Sequence, residues 1–315
     1  MTTARARRAA FVLGSWLAAG FAVAQEGAPA PAGEGPLDRR WSLRLGQSSV
    51  YDTNVDQVHA ARPDYGFVLR GGAAWRNRLS RPSLEVTYEA ALHRYGDSPR
   101  WDRVSQRAEV DFEKRLSKRW STETKGEMSL KGSSEDRELG DWYTLKQRVN
   151  FRLTRGVGLR LHGMGRLKRY APPEGDRDAR NAYAGVELRL RLGAARLDLG
   201  SRREINDART ERNDYARWVH EGQLLAALGR RSELALDGRF YDQRYPYRTV
   251  RVGSQREVRQ DQRLLASLSL SHRLGEALAV ELAYTYAGRQ SNDADKEFGA
   301  HLFTVTFDCL VHRRR

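Results

Sequence analysis

Cysteine is almost absent from the chain, and apolar residues are too few for a helical membrane protein. The 315 residues include one cysteine, Cys309, which excludes an internal disulfide and a cysteine-based metal site. The mean hydropathy is −0.71, whereas each transmembrane helix needs about 20 consecutive apolar residues. A disulfide-stabilised fold and a polytopic helical membrane protein are therefore both excluded.

Acidic residues are fewer than basic ones, 40 against 55, and the formal net charge is +15. In a cytosolic protein this excess would suggest nucleic acid as a partner. The N-terminus argues for export instead, because basic residues at 5–8, an apolar stretch at 9–22 and the small-x-small segment Ala22-Val23-Ala24 form the pattern of a signal peptide. We predict a cleaved signal peptide at 1–24, a Pro/Gly/Ala-rich linker at 25–40 and no nucleic-acid partner.

From Trp41 onward, apolar residues recur at every second position. Leu84, Val86 and Tyr88, for example, alternate with Glu85 and Glu89. This is the period of a β-strand with one apolar and one polar face. Residues 41–315 contain fourteen such runs, which begin near residues 41, 67, 84, 108, 122, 149, 157, 184, 197, 218, 234, 264, 278 and 303. The sequence predicts a single all-β domain.

The connections between these runs alternate between long and short. The long ones are 47–66, 93–106, 131–143, 169–181, 205–217, 242–263 and 289–299, and the short ones are 77–82, 115–118, 155–156, 193–194, 229–232 and 273–277. Outer-membrane barrels have long extracellular loops, short periplasmic turns and an even number of strands. We therefore predict a transmembrane antiparallel up-and-down β-barrel of about fourteen strands. A soluble β-sandwich is the alternative, although sandwiches follow no such rule.

The polar positions of the predicted strands carry charges that would face the lumen. Runs three to five contribute acidic residues: Glu85, Glu89, Glu109, Asp111, Glu113, Glu123 and Glu127. Runs six to nine contribute basic residues: Arg148, Arg152, Arg160, Arg166, Lys168, Arg189, Arg191, Arg196 and Arg202. Such an arc could select anionic cargo, as charged rings do in pores, or the charges could pair across neighbouring strands and rigidify the wall. If the basic arc selects anions, charge reversal at Arg160, Arg189 and Arg191 should reverse or abolish ion selectivity.

Aromatic residues lie near the ends of many predicted strands. Trp41, Trp75, Trp120, Trp142 and Trp218 are examples. Aromatic girdles anchor barrels at the two lipid interfaces, and plain packing is the alternative for any one of these side chains. The C-terminal tail DCLVHRRR departs from the terminal aromatic residue found in many barrels.

Two polar motifs lie beside the first and last predicted strands. Tyr51, Asp52 and Asn54 belong to VYDTNV (50–55), and Ser291, Asn292 and Asp293 belong to RQSND (289–293). The pair resembles elements of outer-membrane porin-like barrels of the capsular or exopolysaccharide group, and is similar to the C-terminal barrel of surface lipoprotein assembly modifiers. Because the first and last strands of a closed barrel are neighbours, Asp52, Asn54, Ser291 and Asn292 should lie close together at the outer rim. Capping of turns is the alternative role.

The first resemblance implies a conduit for polysaccharide, and the second implies a translocon for lipoproteins. Only a short linker precedes the first predicted strand, which favours the conduit. The expected partners are outer-membrane lipid, the barrel assembly machinery, and polysaccharide or an anionic solute. An outer-membrane enzyme is a further alternative, but no GxSxG, HExxH or similar constellation is present. We therefore expect a porin-like channel or export conduit of a Gram-negative outer membrane, with no catalytic residues, metal or cofactor.

Overall fold

The computed structural model describes residues 41–55, 57, 61–77, 83–98, 101–133, 139–170 and 174–312. They form a closed barrel of fourteen antiparallel strands, which confirms the predicted fold and rejects the β-sandwich. The strands are β1 (Trp41–Asp52), β2 (Asp64–Asn77), β3 (Ser83–Tyr95), β4 (Arg103–Arg115), β5 (Trp120–Ser133), β6 (Leu139–Arg152), β7 (Val157–Arg169), β8 (Ala179–Leu192), β9 (Ala195–Ala208), β10 (Tyr215–Ala227), β11 (Ser232–Val252), β12 (Gln255–Arg273), β13 (Leu278–Ser291) and β14 (Phe298–His312). The signal peptide and linker predicted at 1–40 lie outside the described residues.

Short 3₁₀ turns are the only helical elements in the described ranges. They lie at Glu174–Arg177, Glu211–Asn213 and Ala294–Lys296. None of the described helices is long and apolar enough to cross a bilayer.

Each strand pairs with its neighbours in sequence, and the first strand pairs with the last. The β1/β14 seam runs from Ser42 opposite His312 to Asp52 opposite Leu302. Closure gives every strand two hydrogen-bonded neighbours and leaves no edge, which is what a sheet needs in order to satisfy its backbone inside lipid. The last strand therefore continues through most of the unusual tail, as far as His312.

The two faces of the strands differ as the alternation predicts. Leu43, Leu45 and Leu145 are examples of large apolar side chains exposed on the outer face, where a membrane would cover them. Trp41 pairs with Trp75, and the Trp120 ring lies 4.4 Å from the ring of Phe151, as expected of an aromatic girdle.

Trp142 is an exception to the predicted girdle. It is 8% exposed and points into the barrel, because β6 begins at Leu139 and places Trp142 in phase with the inward-facing Arg148. For Trp142 the girdle position is therefore wrong, and the alternative of packing holds.

The prediction of a long connection at 242–263 is also wrong. The chain is strand up to Val252 and again from Gln255, and a bulge lies between Tyr245 and Thr249. Gly253, at φ +61, makes the tight turn, since a two-residue hairpin turn favours a positive φ that glycine adopts at little cost. β10 pairs with β11 up to Arg244 and β13 pairs with β12 up to Asp261, so the remaining hairpin projects beyond the rim.

One side of the interior is closely packed with buried side chains, apolar ones together with polar ones such as Ser48 and Thr306. Val50, Val55, Val68 and Ala300 are fully buried, and Ala287, Phe298 and Leu302 pack together with Ala300 and Leu265. Val55 follows β1 in the connection to β2, so the described start of that connection packs against the barrel. The remaining space lies along β3 to β11.

Candidate functional site

The candidate site is the charged lumen wall formed by β6 to β9. Strand alternation turns every second side chain inward, and the nine basic residues singled out in the sequence all line cavities inside the barrel. We use "extracellular" for the end with the long connections and "periplasmic" for the end with the short turns. Arg152 and Arg191 lie at the periplasmic mouth, and Arg166 and Lys168 lie nearer the extracellular end.

Two adjacent cavities lie along the basic wall. The central one has a volume of about 300 Å³, and the periplasmic vestibule has a volume of about 640 Å³. Arg160 and Arg189 border both. Among the described residues, thirteen Lys and Arg against seven Asp and Glu line the central cavity, and eight against two line the vestibule. Positive charge therefore predominates along the whole space.

Most of these cations are paired with carboxylates on the same or a neighbouring strand. Arg148 contacts Glu123 at 2.5 Å, Arg160 contacts Glu187 at 3.1 Å and Arg196 contacts Asp198 at 3.2 Å; Arg189 contacts both Glu187 and Asp198, and Arg202 contacts Glu221 at 2.5 Å. Such pairing compensates for the removal of charges from water. The wall is therefore braced by ion pairs and still has an excess of cations.

The strands predicted to be acidic are not uniformly acidic. Lys125 contacts Glu109 at 2.6 Å, and Arg107 contacts Glu109 and Glu127 at 2.9 and 3.0 Å. Alternation brings basic as well as acidic side chains inward on β4 and β5. A separation into an acidic wall and a basic arc is therefore too simple.

Aromatic rings on the inner wall carry cations over their faces. Arg166 lies 4.8 Å from the Trp142 ring centroid, Arg202 lies 5.1 Å from that of Tyr183 and Arg217 lies 4.8 Å from that of Tyr241. A guanidinium over an aromatic face is attracted by the ring quadrupole. Trp142 and Arg217 were not identified from the sequence, because both were assigned to connections. Trp142 is an even number of positions from the inward-facing Arg148, and Arg217 is an odd number of positions from the outward-facing Trp218. Either spacing would have placed the side chain inside the barrel.

The two rim motifs bind different neighbours. Asn54 N–H donates to Asp52 Oδ1 at 2.8 Å, and Asn54 Nδ2 donates to Gly299 O at 3.2 Å, which ties the end of β1 to β14. Tyr51 faces outward, 4.8 Å from the ring of Tyr65.

The second motif connects β13 to β12. Ser291 Oγ donates to Asp261 Oδ1 at 2.7 Å, Asn292 Nδ2 donates to Val258 O at 2.9 Å, and Asp293 lies 3.7 Å from Arg248. Both motifs thus lie at the extracellular rim, and their hydrogen bonds stabilise turns and strand ends.

The chain has the fold of outer-membrane porins. An anion-selective porin from Comamonas acidovorans is 9% identical, with a TM-score of 0.52 over 86% of this chain and 98% of that chain. The outer membrane protein OmpT of Vibrio cholerae, in its trimer form, is 11% identical, with a TM-score of 0.52 over 86% and 98%. No family model and no curated protein matches the sequence. The likeness is to outer-membrane barrels in general, and the resemblance to the capsular group stays an expectation.

Proposed function

We propose that the protein is a porin-like channel of a Gram-negative outer membrane through which small hydrated anions diffuse. Lipid would surround the apolar outer face, and export with a cleaved signal peptide and insertion by the barrel assembly machinery belong to the same proposal. In this account the protein moves solutes and catalyses no reaction.

The excess of cations along the two adjacent cavities carries the proposal. Thirteen cations against seven carboxylates and eight against two give the passage a positive potential. Rings of charged side chains select ions of the opposite sign in pores, and a confined space with low-dielectric walls strengthens the effect. The close packing around Val50, Val68 and Ala300 fills part of the other side, so a solute would follow the basic wall.

The volume of the passage favours small solutes over a polymer. The central cavity of about 300 Å³ is at the lower end of the range for sites that hold one small molecule. This argues for single hydrated anions rather than polysaccharide, and nothing in the described geometry favours a translocon for lipoproteins.

The test is the anion-to-cation permeability ratio of the refolded protein in a planar bilayer under a KCl gradient. We expect a ratio above one, and we expect Arg191→Glu to lower it by about threefold, because it replaces a positive charge at the vestibule with a negative one. Arg180→Glu is the matched control, since Arg180 lies on the outer face of the same strand. Equal ratios for wild type and Arg191→Glu would reject the basic wall as the selectivity element.

A further inference from the structure

Arg166 differs in its partners from five other arginines of the basic wall. Arg148, Arg160, Arg189, Arg196 and Arg202 each contact a carboxylate. Arg166 contacts neutral groups: its Nε donates to Thr144 Oγ1 at 3.1 Å, and its guanidinium lies over Trp142. Within the part of the chain that the structure describes, no carboxylate lies within ion-pair distance of Arg166. Glu127 is near enough to interact with Arg166 electrostatically but is itself paired with Arg107, so no ion pair neutralises the charge that Arg166 presents to the cavity.

The surroundings of Arg166 hold its guanidinium in one orientation. The Trp142 side chain is buried, and Thr144 is 5% exposed, so both supports are fixed in the wall. The Nε bond to Thr144 occupies one edge of the guanidinium, and the two terminal nitrogens form the remaining fork. A planar fork that is already oriented loses little entropy when it binds a carboxylate through two hydrogen bonds.

A second cation lies on the same face of β7. Lys168 is two residues from Arg166, and its ammonium lies 5.8 Å from the Trp142 ring centroid and donates to Tyr215 Oη at 3.2 Å. Thr144 pairs with Arg166 and Trp142 pairs with Lys168 across β6 and β7. The four side chains therefore form one compact patch on the cavity wall.

We propose that Arg166, positioned by Trp142 and Thr144 and assisted by Lys168, binds the carboxylate of small polar monocarboxylates in transit. This inference rests on the proposed function and adds a substrate class and a binding site to it. A channel with such a site would saturate with its preferred solute, whereas simple diffusion of anions would not.

The geometry of the patch favours a solute with one carboxylate. The cavity is lined by thirteen Lys and Arg against seven Asp and Glu, so its net charge attracts anions, and Arg166 presents one oriented fork within it. A carboxylate also matches the planar fork, since guanidinium and carboxylate form two parallel hydrogen bonds.

Gluconate is a suitable probe, and glucitol is its uncharged counterpart of similar size. In single-channel recordings in KCl, we expect gluconate to block the current in a saturable manner and glucitol to have no effect at equal concentration. Arg166→Gln should raise the half-blocking gluconate concentration at least about tenfold, because a charge-assisted bidentate interaction is lost. Glutamine can still donate to Thr144, which preserves the local structure.

Two further variants separate geometry from charge. Arg166→Lys keeps the positive charge and removes the fork, so it should weaken the block like Arg166→Gln while leaving the chloride-to-potassium permeability ratio unchanged. Arg191→Gln removes a vestibule cation and should do the reverse: it should lower the permeability ratio and change the half-blocking concentration by less than about twofold.

The outcomes also separate this inference from the proposed function. An anion-selective wild-type channel that gluconate does not block would overturn the binding site and leave the channel intact. A stronger block by phosphate than by gluconate would overturn the carboxylate assignment. Equal block in wild type and Arg166→Gln would show that the site lies elsewhere, and a wild-type channel without anion preference would reject the proposed function itself.

Discussion

Arg217 and Glu204 form an ion pair across β10 and β9, and their side chains are 8% and 4% exposed. Glu204 also accepts hydrogen bonds from Asn181 and Tyr215. Removal of one partner of such a pair leaves a buried charge uncompensated. Arg217→Ala should therefore lower the free energy of unfolding by about 3–5 kcal/mol, measured by urea titration of the protein in lipid vesicles and followed by tryptophan fluorescence.

The control for this prediction is Arg94→Ala. Arg94 contacts Asp102 at 2.8 Å, but its side chain is 62% exposed, and exposed pairs contribute about 0–1 kcal/mol. Equal losses in the two variants would contradict the view that buried pairs brace the wall.

Gly185 lies where the side chains of neighbouring strands meet over the backbone. A Cβ atom there would lie 2.5 Å from Arg202 Cβ, 2.7 Å from His162 Nε2 and 2.8 Å from Ser201 O. Because two of these atoms are backbone or next to it, they cannot move aside easily. Gly185→Ala should cost about 1–3 kcal/mol of unfolding free energy, measured in the same titration.

Gly165→Ala is the matched control for Gly185→Ala. Gly165 lies on the adjacent strand β7, and a Cβ there would have no atom within 4 Å, so we expect a change within about 0.5 kcal/mol. A Gly185→Ala protein as stable as wild type would show that the wall can shift to admit a methyl group.

The alternation of inward-facing and outward-facing positions along each strand explains how far the location of individual side chains could be predicted from the sequence. Even spacing along each strand placed all nine basic residues of β6 to β9 on one face, and the structure places them on cavity walls. Their role in selectivity stays a prediction. The partner of each cation could not be predicted, because a shift of one residue in register exchanges every cross-strand neighbour. Glu187 and Asp198 come from the basic strands themselves, for which only cations had been considered.

At the scale of elements, the tip of the β11–β12 hairpin, beyond Thr249 and Val258, is independent of the barrel sheet. Beyond Tyr245 and Asp261 the two strands pair in the sheet with each other alone, and the turn after β13 contacts them at Val258 and Arg248. At the tip, Arg251 lies opposite Arg256, a like-charge pairing that destabilises a hairpin. Replacement of residues 250–257 by Asn-Gly, which joins the paired Thr249 and Val258, should leave the unfolding free energy within about 1 kcal/mol of wild type and leave the conductance unchanged. The checks are the urea titration and single-channel recording.

A matched replacement of residues 206–215 in the β9–β10 hairpin should impair folding. Asn206 and Tyr215 pair across these strands inside the barrel, and both are bonded to neighbouring residues. If shortening the projecting hairpin is as harmful as this change, the projecting strands contribute to the barrel after all.

Element boundaries could be predicted where a side chain must face lipid, and not elsewhere. The alternation of leucine, valine and aromatic residues located fourteen strands because lipid requires an apolar outer face. The hairpin beyond the rim has no such requirement, and its arginines, tyrosines and glutamines resemble a loop. The same cause hid the first residues of β6, and with them the inward position of Trp142.

At the scale of the whole molecule, closure and side-chain packing decide what can pass. A barrel of fourteen strands encloses more space than its wall side chains alone would fill. Here the packed side near β1, β2, β13 and β14 leaves the space next to the basic wall. The cavities therefore lie to one side of the interior and are lined mostly by cations, and this placement could not be predicted without knowing which side of the interior is packed.

Single-channel conductance of the refolded wild-type protein tests this account most directly. It should be recorded in a planar bilayer at several KCl concentrations and then under a salt gradient. The account predicts a steady conductance that rises with salt and a reversal potential of the sign expected for chloride preference. A barrel that is folded but silent, or one that prefers potassium, would contradict the proposal of an open, anion-conducting lumen.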